Sequence, residues 1–478
     1  MTKHPVRLMR NFGLLFSANV AAQLLQFLAL VHLARVLGPA AFGIWGLAQA
    51  WMLSLLRVGE MGLEVVGIRS IAVDAPAVRE ITGNVLVLRL ILALLILTAV
   101  LGGMLGGIFP EESGTLVLLL SLALLPTAVT LEWVFEAHQR VGPVGVGRLL
   151  RGLAFAVPVV ALVRSEDGLL TAAYLYGASV AVAALFSIVM ASRAYPVLPP
   201  VFSRARAVEL LREAAPVGGA TMLSQYAMFA GTILAGYMVS PEEVGLYTAG
   251  HRPLVFIWAY GIVTSNRVIL PHLSGLFSQS PQVFGEFVRK YIRLLSLVAV
   301  PLALVGVLAG GEIMTLVFGP EFRESGPVFS VLSVAIAVAV GRSVLEIGLI
   351  ASRRQVIVLR GMIGLAAIMT AATFAGFLWG GIHGAAWGAL LAESAYAVYL
   401  AAVFRSVTAR EILRIVGKPS WAAVVLGAGV ILAGLQSLGV AAAAVAVYGA
   451  FLVLTRQVSG RDLALLRGAL SPRWRDPS

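Results

Sequence analysis

The chain has 478 residues, 59% hydrophobic and only 12% charged, with a mean hydropathy of +0.94. A soluble domain carries roughly a quarter charged residues, so this composition excludes a water-soluble globular protein; with no cysteine, a disulfide framework and thiol chemistry are excluded too. The 35 Lys and Arg against 23 Asp and Glu leave a net charge of +12, which would suit a nucleic-acid binder were it not distributed around apolar runs.

Breakers and charges divide the chain, in order, into fourteen apolar segments: 12–35, 43–66, 84–108, 115–138, 146–164, 168–191, 214–238, 246–269, 292–317, 326–351, 356–378, 383–404, 421–436 and 439–455. Many are close to the roughly 20 residues that cross a bilayer as helix, and the alternating pattern of a membrane barrel is missing. The reading is an all-α polytopic membrane protein of about fourteen transmembrane helices. Its first run, Phe12 to Val36, is long enough to be a retained helix and ends in no convincing cleavage site.

The cations give the orientation. With the N-terminus in the cytoplasm, 27 Lys and Arg fall in inner segments. Four (Arg35, Arg164, Arg252, Arg323) fall in outer loops, and four (Arg57, Arg89, Arg267, Arg342) lie inside helices or near their ends. That bias is the positive-inside signal. It predicts cytoplasmic N- and C-termini and makes the basic charge an orientation label, with no nucleic-acid partner expected.

The sequence also repeats. "VLGPAAFGIW" (Val36 to Trp45) and "MVSPEEVGLY" (Met238 to Tyr247) share an apolar–small–Pro–x–x–apolar–Gly–apolar–aromatic pattern, with Pro39, Gly43 and Trp45 each 202 positions before Pro241, Gly245 and Tyr247. At the same offset Asn19 matches Thr221 and Gln23 matches Gln225. "GLLTAAYLYG" (Gly168 to Gly177) resembles "GIHGAAWGAL" (Gly381 to Leu390), and "FPEESG" (Phe109 to Gly114) has a counterpart in "FGPEFRESG" (Phe318 to Gly326). Six helices separate the paired connectors, so both sit on the outer face. Helices 1–6 and 7–12 read as two parallel six-helix lobes, residues 1–213 and 214–404. Residues 405–478 add two helices and a basic cytoplasmic tail. Two like lobes form a seam near the midplane, where transporters commonly bind substrate.

Over nearly its whole length the sequence resembles the polysaccharide-transport (Wzx-type) oligosaccharide flippase family of the MOP exporter superfamily. The resemblance rests on the order and spacing of "ARVLGPAAFGIWGLAQAW", "RVGEMGLEVVGIRSIA", "GTILAGYMVSPEEVGLYTAGHRP", "VILPHLSGL" and "LVFGPEFRESGPVFSVLS". It implies a V-shaped pair of six-helix lobes around a cavity. It also implies transfer of polyprenyl-diphosphate-linked oligosaccharide from the inner to the outer leaflet of the bacterial inner membrane by alternating access. Expected partners are the lipid-linked glycan, membrane lipids and polysaccharide assembly proteins, with H⁺ or Na⁺ as coupling ion and no cofactor. A lipid II flippase is the second reading and a drug/cation antiporter of the same superfamily the third. A membrane glycosyltransferase or polymerase is remote. The longest inner loop, about Ser192 to Glu213, carries no acidic or metal-binding domain; the four Asp form no DxD pair; and the six His have no ligand spacing.

Intramembrane ionisable groups are costly and usually face a cavity or a partner. Arg57, Glu60 and Glu64 share one face of helix 2. Arg57 lies about 14 residues, roughly 21 Å, inward of Gly43. Its fork of donors suits a diphosphate, and the competing reading is a self-contained Arg57–Glu60 pair. Asn19, Gln23 and Gln26 form a polar stripe on helix 1 that Gln225 partly repeats on helix 7, read as cavity lining for sugar hydroxyls rather than helix–helix glue. Helix 8 offers Arg252 towards the outside and Arg267, beside Asn266, near the inner end. Arg342 and Glu346 read as an ordinary i, i+4 pair. Glu393, with no partner nearby in sequence, is with Glu346 a candidate for ion coupling. Glu132 and Glu136 are expected at the inner interface beside Arg140, and "GGMLGG" (Gly102 to Gly107) as a site of close helix approach.

Overall fold

The computed structural model describes residues 4–258, 264–404 and 406–455, with side chains from Ser17 on except at 264–268, 271, 409 and 418. Among the described residues there is no strand. The first two spans form one bent helix, α1 (His4–Glu60), broken at Gly38, whose φ of 72° is in the left-handed region. Glycine reaches that region without a Cβ penalty, and the ring of Pro39 then restarts the helix with its φ already set. A second break at Met61 (φ 42°) and Gly62 (φ 75°) leads into α2 (Leu63–Val73).

Then follow α3 (Val78–Leu105) and three short helices over the fourth expected span: α4 (Glu111–Ser121), α5 (Leu124–Ala128), which contains Pro126, and α6 (Glu132–Ala137). Next come α7 (Val141–Leu162), α8 (Leu169–Ala194), α9 (Arg204–Met238), α10 (Pro241–Ile257), α11 (Thr264–Gln279), α12 (Pro281–Phe318) and α13 (Gly326–Ala351). α14 (Gln355–Val403) is bent at Gly380–Gly381, and α15 (Ala409–Leu432) and α16 (Leu438–Leu454) close the described chain. Among the described residues eight helices are long and apolar enough to cross a membrane, nine with the bent α15. Two of them, Ser17–Val73 with 57 residues and Gln355–Val403 with 49, are each long enough for two crossings. Fourteen crossings are consistent with this arrangement.

The chain divides into two compact units. One holds the described part of Met1–Ala249 with Val317–Glu321 and Met369–Ala385; the other holds Gly250–Leu316, Phe322–Ile368 and the described chain from Ala386 on. In the first, α1 packs on α7 and α9. A core of Leu63, Val66, Ile81, Val85, Trp133, Phe135 and Leu210 joins α2, α3, α6 and α9. In the second, Leu304 and Leu308 of α12 pack against Ala423 of α15 and Ala441, Ala444 and Tyr448 of α16, so the appended helices are joined through α12. Large apolar side chains such as Leu94, Leu95, Leu185, Trp387 and Leu391 point outward, the arrangement expected where the solvent is lipid.

One glycine expectation is corrected. In "GGMLGG", a Cβ added to Gly102 or Gly107 would meet nothing within 4 Å, and one on Gly103 or Gly106 would meet only Phe109, Ile108 and carbonyls of the stretch itself, so these glycines do not bring a second helix close. The stretch terminates α3: Gly107 takes φ 69°, and the Ile108 N–H donates to the Gly103 carbonyl at 2.8 Å, as in a Schellman cap.

Candidate functional site

The repeated connectors meet each other inside the first unit. A Cβ placed on Gly43 would lie 1.9 Å from the Pro241 carbonyl oxygen. One placed on Gly245 would lie 1.9 Å from the Pro39 carbonyl oxygen. Gly43 and Gly245 are the matched positions of the two repeats, as are Pro39 and Pro241, so the contact is reciprocal, like an isologous interface. The next turn continues it, since a Cβ on Gly46 would fall 2.7 Å from the side chain of Thr248, its own counterpart at the same offset. Backbone approaches backbone here, and only glycine leaves room.

A second close approach lies at the far end of the second span, against α9. At the Met61–Gly62 break, a Cβ on Gly62 would sit 2.8 Å from the Ala214 carbonyl oxygen, and one on Gly218 would sit 2.6 Å from the Met61 carbonyl. The second span thus meets α10 at the connector where it begins and α9 at the break where it ends.

Between these contacts sits Arg57, in the last turn of α1. Its Nη1 donates to Glu60 Oε2 at 2.6 Å, and its Nε donates to Gln225 Oε1 at 3.4 Å. The side chain keeps 44% of its surface accessible, against 17% for Glu60. An ion pair this open is held weakly, and a guanidinium has five N–H donors, so Arg57 retains donors for a ligand. The structure therefore brings together Arg57, Glu60 and Gln225. Gln23 and Gln26 lie half-buried on α1.

Asn19 is engaged elsewhere. Its Oδ1 accepts from Arg148 Nη1 at 3.0 Å, while Arg148 also pairs with Glu132 at 3.1 Å and Glu136 at 2.8 Å. The two glutamates were expected beside Arg140; their partner is Arg148, two turns into α7, whose side chain crosses to α1 and α6. Arg148 was missed because it sits next to the inner loop and counted there as an orientation charge. Neighbouring Arg151 donates to the Tyr176 hydroxyl at 3.0 Å. Glu64 pairs at 2.9 Å with Arg89, which is 1% exposed and also donates to the Thr127 carbonyl at 2.7 Å. That arrangement fixes α2, α3 and α5 to one another.

In the second unit, Arg342 of α13 binds two carboxylates. Its Nε and Nη2 donate to the two oxygens of Glu393 on α14 at 2.5 and 3.2 Å, and its Nη1 donates to Glu346 at 2.8 Å. The pair read as purely intrahelical is therefore a triad, and Glu393 finds its partner 51 positions away. Arg252 is buried in α10 at 8% exposure. The side chain of Arg267, on α11, and the basic tail from residue 456 lie outside the described residues.

A family model described as "Polysaccharide biosynthesis protein" matches residues 8–277. A protein of Escherichia coli (strain K12), provisionally named as an O-antigen transporter, is 21% identical over 339 residues, covering 70% of this chain and 81% of that protein. The solved structure of lipid II flippase MurJ in an inward closed conformation superposes with a TM-score of 0.71 at 11% identity, covering 93% of this chain and 99% of that one. An inward-facing multidrug resistance MATE family transporter of the MOP superfamily gives a TM-score of 0.64 at 16% identity, covering 83% of this chain and 95% of that one. At these identities the structural likeness carries the fold.

Proposed function

Because the chain belongs to the polysaccharide biosynthesis protein family, we propose that it is a flippase that carries polyprenyl-diphosphate-linked oligosaccharide from the inner to the outer leaflet of the bacterial inner membrane. The observation that carries the reading is Arg57, an accessible guanidinium in a membrane span. It reaches across to Gln225, the repeat-mate of Gln23. A diphosphate offers oxygens to a guanidinium in the bidentate geometry that a carboxylate also uses. Glu60 is the group that the headgroup would displace or share, and the amides of Gln23, Gln26 and Gln225 are suited to sugar hydroxyls. Arg252 receives the headgroup later in its passage, and Arg267 acts near the inner entry.

Transport by alternating access needs a seam that opens at one end at a time. The reciprocal Gly43–Gly245 contact supplies an outer seal, and the Gly62–Gly218 contact an inner one. Under this reading residues 1–213 and 214–404 are the two lobes, 405–478 the appended helices and tail, and both termini are cytoplasmic. The lipid tail stays in the bilayer and no bond is made or broken, so the protein works as a transporter and not as an enzyme, with assembly proteins of the same glycan as its partners.

The test is complementation of bacterial strains that lack defined flippases. Return of a surface glycan in a strain lacking an oligosaccharide flippase supports the reading. Rescue confined to a strain lacking the lipid II flippase reassigns the substrate, and rescue of neither refutes it.

A further inference from the structure

The two repeats fill their connector ends unequally. The turn Phe318 to Gly326 has nine residues, against six in its counterpart Phe109 to Gly114. Phe318 is fully buried, with its ring 6.1 Å from Phe42 of the first connector and 6.3 Å from Phe27. The matched positions locate the same place in the other half: Phe109 corresponds to Phe318 and, at the 202-residue offset, Val244 to Phe42. The ring-on-ring packing is not repeated there. A valine, much the smaller side chain, stands for Phe42, and Phe109 lies half-buried and edge-on to Trp51 at 5.4 Å. What lies beside Val244 is a cavity of about 280 Å³. Its apolar walls are Ile44 and Leu47 of α1 and Val239 and Val244 at the second connector. The exposed side chains of Glu111 and Glu112, in the first turn of α4, complete the lining.

We propose that this cavity binds a small organic cation that carries an aromatic ring. The ring occupies the place that Phe42 holds at the matched position. It gives the apolar walls the dispersion contacts that valine is too short to make, which is why cavities of this kind take up benzene-like rings. The carboxylates select the charge. Among the described residues neither Glu111 nor Glu112 pairs with a cation, so an ammonium group at the mouth is attracted and an anionic one repelled. Gly43 and Pro241, which meet in the reciprocal contact, line the same cavity. Its walls therefore come from both connectors, and the site exists only while they touch. A ligand bound there holds the connectors together, because it binds one of two states and not the other. That holding them together stops transport rests on the flippase reading above; binding in the cavity does not.

The test is made on the purified full chain in detergent, without lipid-linked sugar, with benzyltrimethylammonium as the probe because its charge is fixed. Calorimetric titration is expected to show saturable binding at one site. Val244→Phe, which puts the ring of the matched position into the cavity, should weaken it by about tenfold or more. The double variant Glu111→Gln with Glu112→Gln should weaken it by up to about fivefold for each carboxylate, and added salt should do the same in the wild-type protein. Both glutamates are exposed, so this variant serves where Val244→Phe fails to fold. In a Thr248→Cys protein, the probe at ten times its Kd should slow maleimide labelling roughly tenfold, as expected for a ligand of the closed state alone. Absence of saturable binding, or binding of equal strength in a folded Val244→Phe protein or in the double glutamine variant, would overturn the site. Binding that leaves the labelling rate unchanged would overturn its hold on the connectors. None of these results bears on whether the protein moves lipid-linked sugars.

Discussion

Replacing Gly245 with Ala should open the outer end. The added methyl carbon would stand 1.9 Å from the Pro39 carbonyl oxygen and 3.2 Å from the Gly43 amide nitrogen. Carbon and oxygen not bonded to each other do not approach within about 3 Å, so the two connectors must part by about 1 Å or more. The neighbours are backbone, held by the bend at Gly38–Pro39, and cannot rotate away as a side chain would. Overpacking of this kind costs about 1–3 kcal/mol. The cost falls only on the state in which the connectors cross, so it shifts the equilibrium towards an outward-open state by about 5- to 150-fold. The chain has no cysteine, so one reporter suffices. Thr248→Cys places a thiol in the seam, where Thr248 is fully buried, and its rate of modification by a membrane-impermeant maleimide from the outer side is measured. Gly245→Ala should raise that rate by a factor in this range. Gly43→Ala should do the same, and the double variant should exceed either by much less than the product, because a parted seam no longer penalises the second methyl. An unchanged labelling rate in both single variants would refute the argument that this contact is a seal.

Three further outcomes are expected. Gly218→Val should place its side chain against the Met61 backbone and raise cytoplasmic-side labelling of a cysteine at Ala214 while leaving labelling at Thr248 low. Arg342→Gln leaves two buried carboxylates without their cation, and breaking a buried pair this way costs about 3–5 kcal/mol. It should lower the thermal unfolding temperature in detergent markedly, whereas Arg206→Gln, whose partner Glu209 is exposed, should leave it nearly unchanged. Arg57→Ala should abolish glycan export without reducing membrane insertion, Arg57→Lys should restore only part of it, and both are read by surface-glycan staining against protein level.

What could be read from the sequence was whatever recurs along it. Matched connectors 202 residues apart gave the two-fold pattern, and the same offset matched Gln23 to Gln225, the amide to which Arg57 donates. Partners on different helices were invisible, because helical periodicity shows which side chains share a face but not which face meets which. Glu393 looked solitary for this reason, although Arg342 lies 51 positions before it. Arg148 was hidden by its place beside an inner loop, where one cation looks like another; only the fold shows that it turns inwards to Asn19, Glu132 and Glu136. The glycines divide in the same way. "GGMLGG" is conspicuous and ends a helix, while Gly62 and Gly218, which no repeat singles out, sit at a close backbone approach as the matched Gly43 and Gly245 do.

The central claim is that Arg57 holds a lipid diphosphate headgroup on its way across the membrane. It is tested most directly in proteoliposomes loaded with a fluorescent polyprenyl-diphosphate sugar, by following the headgroup's arrival in the opposite leaflet with a membrane-impermeant quencher. The account predicts transfer by the wild-type protein, loss of transfer in Arg57→Ala at equal reconstitution, and no transfer of a polyprenyl sugar lacking the diphosphate. Equal transfer by the Arg57→Ala protein, or transfer indifferent to the diphosphate, would contradict it.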